Sequence, residues 1–113
     1  MKKINILKNN MDFNRIIKNN KPYKYKDYVI YIEKSNNDIY HFGFSIGKKI
    51  GNAVVRNKIK RQIKSIIDKK NYQNGFNCII MVRKGILTKT FLEMELDLLT
   101  LFRNINIIKG ETK

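Results

Sequence analysis

The side chains best placed to do chemistry in this chain are cations, and they are clustered. Between Lys48 and Lys70 stand nine basic residues (Lys48, Lys49, Arg56, Lys58, Lys60, Arg61, Lys64, Lys69 and Lys70) against Asp68 alone. No acidic residue occurs between Asp38 and Asp68. Such a run suits phosphate, because Arg offers a planar fork of N–H donors and Lys a mobile point charge. The whole chain leans the same way, with 24 Lys and Arg against 9 Asp and Glu, a net charge of +15 and a pI near 10.0 over 113 residues. A compact domain carrying that charge repels itself, and a polyanionic partner relieves the repulsion. Nucleic acid is the first partner to expect and an anionic membrane surface the second.

Other chemistries lack their residues. His41 is the only histidine, which excludes a two-histidine acid–base ribonuclease, and it falls on the more polar face of a strand. Cys78 is the only cysteine, so neither an intrachain disulfide nor a zinc site of cysteine pairs can form. Asp12, Asp27, Glu33 and Asp38 are scattered, while Glu93, Glu95 and Asp97 read as the solvated side of a last helix. No catalytic residue and no metal ligand set is assigned.

The elements that must hold the cations follow from pattern. Asn9 or Asn10 caps a short helix running to about Lys18, with Phe13, Ile16 and Ile17 on its apolar side, and Pro22 ends it. Tyr28–Glu33 reads as a strand, Asn36-Asn37-Asp38 as a turn, and Ile39–Ile46 as a second strand. In that second run Tyr40, Phe42, Phe44 and Ile46 share one face and His41, Gly43 and Ser45 the other, and the two runs are expected to pair as a hairpin. A helix over Asn52–Lys69, a turn at Asn74-Gly75, a strand at Phe76–Val82 and a helix at about Thr90–Arg103 complete the chain. A fourth strand would come from Pro22–Tyr25 or from the tail at Ile105–Lys109. The expected architecture is an α/β sandwich with helices packed on a small sheet, in one domain over residues 1–113. Apolar runs are too short to span a bilayer and no signal-peptide core follows Met1-Lys2-Lys3, so a soluble cytoplasmic domain is expected.

Within Asn52–Lys69, Val55, Ile59, Ile63, Ile66 and Ile67 fall on one arc of about 120°. Arg56, Asn57, Lys60, Arg61 and Lys64 take the next arc of roughly 140°. A face that is merely solvated would carry Glu four residues from Lys, yet no Glu occurs from Lys34 to Leu92. The preceding Gly47-Lys48-Lys49-Ile50-Gly51-Asn52 collects backbone N–H groups and two lysines at a helix N-terminus, a setting that favours anions, without the spacing of a nucleotide P-loop. A membrane-surface helix would need bulky apolar residues free to insert, whereas these isoleucines are needed for the core.

The run Gly47-Lys48-Lys49-Ile50-Gly51-Asn52-Ala53-Val54-Val55-Arg56-Asn57-Lys58-Ile59-Lys60-Arg61 closely resembles the signature of the bacterial ribonuclease P protein family. Leu7-Lys8-Asn9, Asp12-Phe13, Phe42-Gly43-Phe44-Ser45 and Ile80-Met81-Val82-Arg83-Lys84-Gly85 match in order and spacing around it. The resemblance implies an αβββαβα order with a left-handed crossover around the basic helix, where sequence reasoning alone would choose a right-handed one. It implies an RNA-binding accessory subunit that, with a catalytic RNA, removes the 5′ leader from precursor tRNA. The chemistry would then lie in the RNA with its bound Mg²⁺, and the partners would be ribonuclease P RNA and precursor tRNA, with no membrane and no protein partner required.

By the same resemblance, Lys48, Lys49, Arg56, Asn57, Lys58, Lys60, Arg61 and Lys64 contact the catalytic RNA. Lys58 stands where many members have arginine and lies off the main stripe. The extended leader would lie in a cleft between the first helix and the sheet, against Phe13, Ile17 and Tyr31. Aromatic faces stack on bases with little sequence preference, at about 1–3 kcal/mol per base. Ile17 replaces a phenylalanine common in the family, which keeps apolar contact and loses stacking. From the residues alone Phe13 is equally a core staple under the sheet, and a generic RNA-binding or small ribosomal protein is the alternative function.

Overall fold

The computed structural model describes residues 1–111. In chain order the elements are α1 (Asn10–Asn19), β1 (Tyr23–Tyr25), β2 (Tyr28–Lys34), β3 (Tyr40–Ser45), α2 (Ala53–Ile67), β4 (Phe76–Val82) and α3 (Phe91–Asn104). The αβββαβα order of the resemblance holds. Each helix starts on a side-chain cap: Asn9 accepts from the Met11 amide, Asn52 from the Val55 amide, and Thr90 and Glu93 form a reciprocal capping box. Asn52 is thus the cap of α2 rather than its first residue, and the helix ends at Ile67, two residues before Lys69.

The sheet is ordered β1-β2-β4-β3. Here the expected hairpin of the second and third strands is corrected, because β4 lies between them. It pairs antiparallel with β2, with Ile30 opposite Ile80, and parallel with β3, with Phe42 opposite Cys78. The physical reason is burial. Phe76 to Ile80 are buried at every position, so this strand needs neighbours on both edges and cover on both faces. The turn residues at 35–39 do reverse the chain, but they straddle Gly75 instead of closing a ladder: Ser35 N–H donates to the Gly75 carbonyl and Gly75 N–H to that of Ile39. The fourth strand is β1, at the edge beside β2, and the tail contributes only a bridge between Ile108 and Tyr72.

One face of the sheet carries the main core. Tyr28, Ile30, Phe42, Phe76, Cys78 and Ile80 pack with Ile59, Ile63, Ile66 and Ile67 of α2 and Met94, Leu98, Leu101 and Phe102 of α3. Tyr40, Phe42, Tyr72, Phe76 and Phe102 form a chain of rings with centroids 5.1–5.8 Å apart. The Tyr28 hydroxyl donates to the Met94 carbonyl and that of Tyr72 to the Ile67 carbonyl, which satisfies both buried groups. Asp97 is a correction: it is buried, not on the solvated side of α3, because Met94, Asp97, Leu98, Leu101 and Phe102 lie on one stripe at helical spacing. The second face carries Ile79 and is covered by α1, which packs against β2 and β4 with Ile16 wholly buried.

Two glycines separate backbone demand from mere permissiveness. Gly75 has φ +85°, and a Cβ there would lie 3.2 Å from the Ser35 carbonyl. Gly47 has φ −72° and nothing within 4 Å of a Cβ. Gly75→Ala is expected to cost about 1–2 kcal/mol of unfolding free energy in a denaturant titration, and Gly47→Ala to be neutral or slightly stabilising.

Candidate nucleic-acid interface

The isoleucine arc of α2 fixes where its cations go. With Ile59, Ile63, Ile66 and Ile67 buried, Asn57, Lys58 and Arg61 are exposed and Arg56, Lys60 and Lys64 half-buried. Lys48 and Lys49 are exposed on a single 3₁₀ turn, Lys48–Ile50, that leads into the Asn52 cap. Among the described residues none of these lysines and arginines is in an ion pair. The carboxylates are engaged elsewhere: Asp68 with the Met1 amine, Glu95 with Lys69, Glu111 with Lys70 and Arg103, Asp12 and Glu33 with Arg15, and Asp27 with Lys89. The Nε of Arg56 is buried without a hydrogen-bond partner.

Lys60 and Lys64 belong to a groove that the sequence did not reveal. It has a volume of about 560 Å³ and also takes in Lys3, Lys8, Phe13 and Phe44. The N-terminal segment reaches it because Leu7 N–H donates to the Phe42 carbonyl along the free edge of β3. The Lys64 ammonium lies 5.6 Å from the Phe44 ring centroid. Lys3 and Lys8 were missed because only the Met1-Lys2-Lys3 run and the Leu7-Lys8-Asn9 match marked them, and neither signal places them beside α2. Lys58 points elsewhere, into a smaller cleft with Ile86, Leu87 and Lys89, in keeping with its place off the main stripe.

Phe13, Ile17 and Tyr31 are all half-buried on the α1 side of the sheet. Alternation along the strands sets them there. On this face the registers align Tyr31, Ile79 and Gly43 in one row across β2, β4 and β3, and Glu33, Asn77 and His41 in the next. Phe13 rests on Gly43, so closely that a Cβ at that position would lie 2.5 Å from Phe13 Cζ. The Phe13 ring packs α1 on the sheet and also lines the lysine groove.

The row beside it is polar and continuous. His41 Nδ1 and Asn77 Oδ1 are 2.9 Å apart, and Asn77 Nδ2 donates to Glu33 Oε1 at 2.9 Å. Glu33 accepts a two-pronged contact from Arg15 of α1, from Nε at 3.0 Å and a terminal nitrogen at 2.9 Å. Arg15 also reaches Asp12 at 2.6 Å. A carboxylate facing Asn77 Nδ2 leaves Asn77 Oδ1 for His41, so His41 Nδ1 carries the proton. The Arg15 contact holds the Glu33 carboxyl below its ordinary pKa and raises that of Arg15. Nothing in the sequence joins these residues, because the bonded pairs across the row lie 18 to 44 positions apart and only the strand register assembles them.

Comparison with known proteins agrees with the resemblance. The family model described as Ribonuclease P matches residues 1–106. The ribonuclease P protein component of Mycoplasma mycoides is 37% identical over 108 residues, covering 93% of this chain and 99% of its own, and that of Bacillus pumilus is 34% identical over 116 residues, covering 100% and 98%. The fold superposes on the Staphylococcus aureus RNase P protein with a TM-score of 0.83 at 29% identity, covering 93% of this chain and 98% of that one. It superposes on the RNase P protein from Thermotoga maritima at 0.78 and 26%, covering 87% and 94%.

The Glu33–Arg15 contact makes the seating of α1 acid-sensitive. Because the folded carboxyl holds its proton less readily than the unfolded one, the unfolded state takes up protons first as pH falls, and stability declines from about pH 5 downward. Glu33→Gln should flatten part of that decline in urea titrations between about pH 5 and 3. An unchanged slope would mean that the pair contributes nothing.

Proposed function

This chain belongs to the ribonuclease P protein family, and from that premise we propose that it is the RNA-binding accessory subunit of a ribonuclease P that removes 5′ leaders from precursor tRNA. The observation that carries the reading is the unneutralised cationic surface of α2. Arg56, Lys60, Arg61 and Lys64, with Asn57 and the Lys48 and Lys49 turn, take the phosphates of the catalytic RNA, and Lys58 serves that surface from its flank. The orphaned Nε of Arg56 supports this, since a phosphate oxygen would satisfy a donor that is otherwise costly to bury. Phe13, Ile17 and Tyr31 hold the single-stranded leader on the opposite face of the sheet. The setting is cytoplasmic, and among the described residues no helix is long and apolar enough to cross a membrane.

Mg²⁺ is held mainly by the RNA. The carboxylates do not fit a Mg²⁺ site: Asp12, Asp27, Glu33, Asp68, Glu95 and Glu111 are paired with ammonium or guanidinium groups, and among the described residues no three His, Cys, Asp or Glu side chains converge. On this reading the protein supplies positioning and charge compensation, and the scissile phosphate is attacked in the RNA's own site.

Reconstitution tests this. Protein and ribonuclease P RNA are mixed at low Mg²⁺ with a 5′-extended precursor tRNA, beside each component alone. Cleavage is expected to need both, and Arg56→Ala with Arg61→Ala should weaken binding to ribonuclease P RNA far more than to an unrelated structured RNA. The slope of log affinity against log salt should fall by about 0.7–0.9 for each phosphate contact removed. Equal losses on both RNAs would make this a generic basic patch, and cleavage by the protein alone would overturn the accessory role.

A further inference from the structure

The residues that touch a leader need not be those that decide how well it is held. Phe13 and Ile17 sit on α1, Tyr31 on β2, and the space between them depends on how α1 is mounted. That helix buries only Ile16 and has few apolar anchors. Besides Ile16 and the Phe13 contact on Gly43, α1 is tied to the sheet by the polar row next to Tyr31–Ile79–Gly43: Arg15 on α1, Glu33 on β2, Asn77 on β4 and His41 on β3, bonded in sequence across three strands. Asn77 is buried, and its amide leaves the Glu33 carboxylate aimed at α1. Arg15 stands two residues from both Phe13 and Ile17 and about 200° around α1 from Phe13, so the contact clamps the helix to the sheet from the flank away from those two side chains.

We propose that Glu33, oriented by Asn77, is a positioning residue for leader binding, setting the α1-to-sheet spacing through Arg15 without touching RNA. The inference rests on the reading of Phe13, Ile17 and Tyr31 as the leader surface. A carboxylate beside a polyanion-binding surface is otherwise a liability, since it repels phosphate. Its presence here is explained by what it holds.

That makes the test one of sign. Glu33→Gln removes a negative charge, so electrostatics alone tightens RNA binding, whereas loss of the clamp loosens leader binding. The holoenzyme, wild type or variant protein with ribonuclease P RNA, is titrated with precursor tRNA carrying a 5′ leader and with the same tRNA lacking it. The ratio of the two affinities is the readout, and affinity for ribonuclease P RNA is measured alongside. Glu33→Gln is expected to lower the ratio about five-fold, with RNA affinity held within about two-fold. Arg15→Gln, which also releases Asp12, should lower the ratio by at least as much, and the double variant should be no worse than Arg15→Gln alone, because both substitutions break the Arg15–Glu33 contact. An unchanged or higher ratio in Glu33→Gln, additive losses in the double variant, or equal loss for both tRNAs overturns the inference while leaving the leader reading intact. A wild-type protein whose holoenzyme gains nothing from a leader overturns that reading, and the inference with it.

Discussion

The fold depends on a strand that can tolerate water on neither face. Residues Phe76 to Ile80 are buried in succession, which forces β4 to the middle of the sheet and demands a cover on each side. Parallel pairing with β3 then requires a crossover between them, and α2 is that crossover. Its isoleucines must face Cys78 and Ile80, so its cations must face out. The other side of β4, at Ile79, requires α1, and α1 brings Phe13 down onto Gly43. Both surfaces assigned to RNA are thus by-products of burying a single strand.

A net charge of +15 is tolerable in such a small fold because the minority charge is spent with care. Among the described residues the ion pairs neutralise Arg15, Lys69, Lys70, Lys89, Arg103 and the Met1 amine, and none lies on the cationic arc of α2. Exposed pairs of this kind add little to stability, with a median of about 0–1 kcal/mol. Their effect is spatial: they engage the carboxylates with other cations and leave Arg56, Lys60 and Lys64 without an ion pair.

Much of this was legible in the sequence, and the boundary of legibility has a physical reason. Periodicity found α2, β4 and α3 to within a residue or two, because each buries one stripe or a whole run. Helical spacing put Phe13 and Ile17 on the apolar side of the first helix, whereas their grouping with Tyr31 came from the family resemblance. Pairing order was not legible. Asn36-Asn37-Asp38 has the residues of a hairpin turn, and nothing local says that Gly75, nearly forty residues on, will be threaded between its arms. Asp97 was misread for a related reason: a polar side chain on a buried stripe breaks the pattern that identifies the stripe. The groove of Lys3, Lys8, Lys60 and Lys64 and the row of Arg15, Glu33, Asn77 and His41 were invisible because they exist only once distant strands are in register.

The two helices on the core face are built on opposite rules, and the contrast identifies which one is under functional demand. Helix α3 follows the rules of helix stability, with a capping box at Thr90 and Glu93, an acidic first turn and Arg103 in its last turn. Helix α2 breaks them. Its first turn carries no acid, two lysines crowd the positive end of its dipole, and Arg56, Lys60 and Lys64 stack like charges at four-residue spacing. Each such pair costs about 0.2–0.5 kcal/mol, whereas each buried isoleucine contributes about 1.5–3 kcal/mol. Ile59, Ile63, Ile66 and Ile67 therefore hold the helix against its own charge with a wide margin. A helix held so firmly by its core face can present an uncompensated cationic row to solvent. Binding a polyanion then removes a repulsion the free protein must carry, so the folded state is stabilised by its partner through mass action.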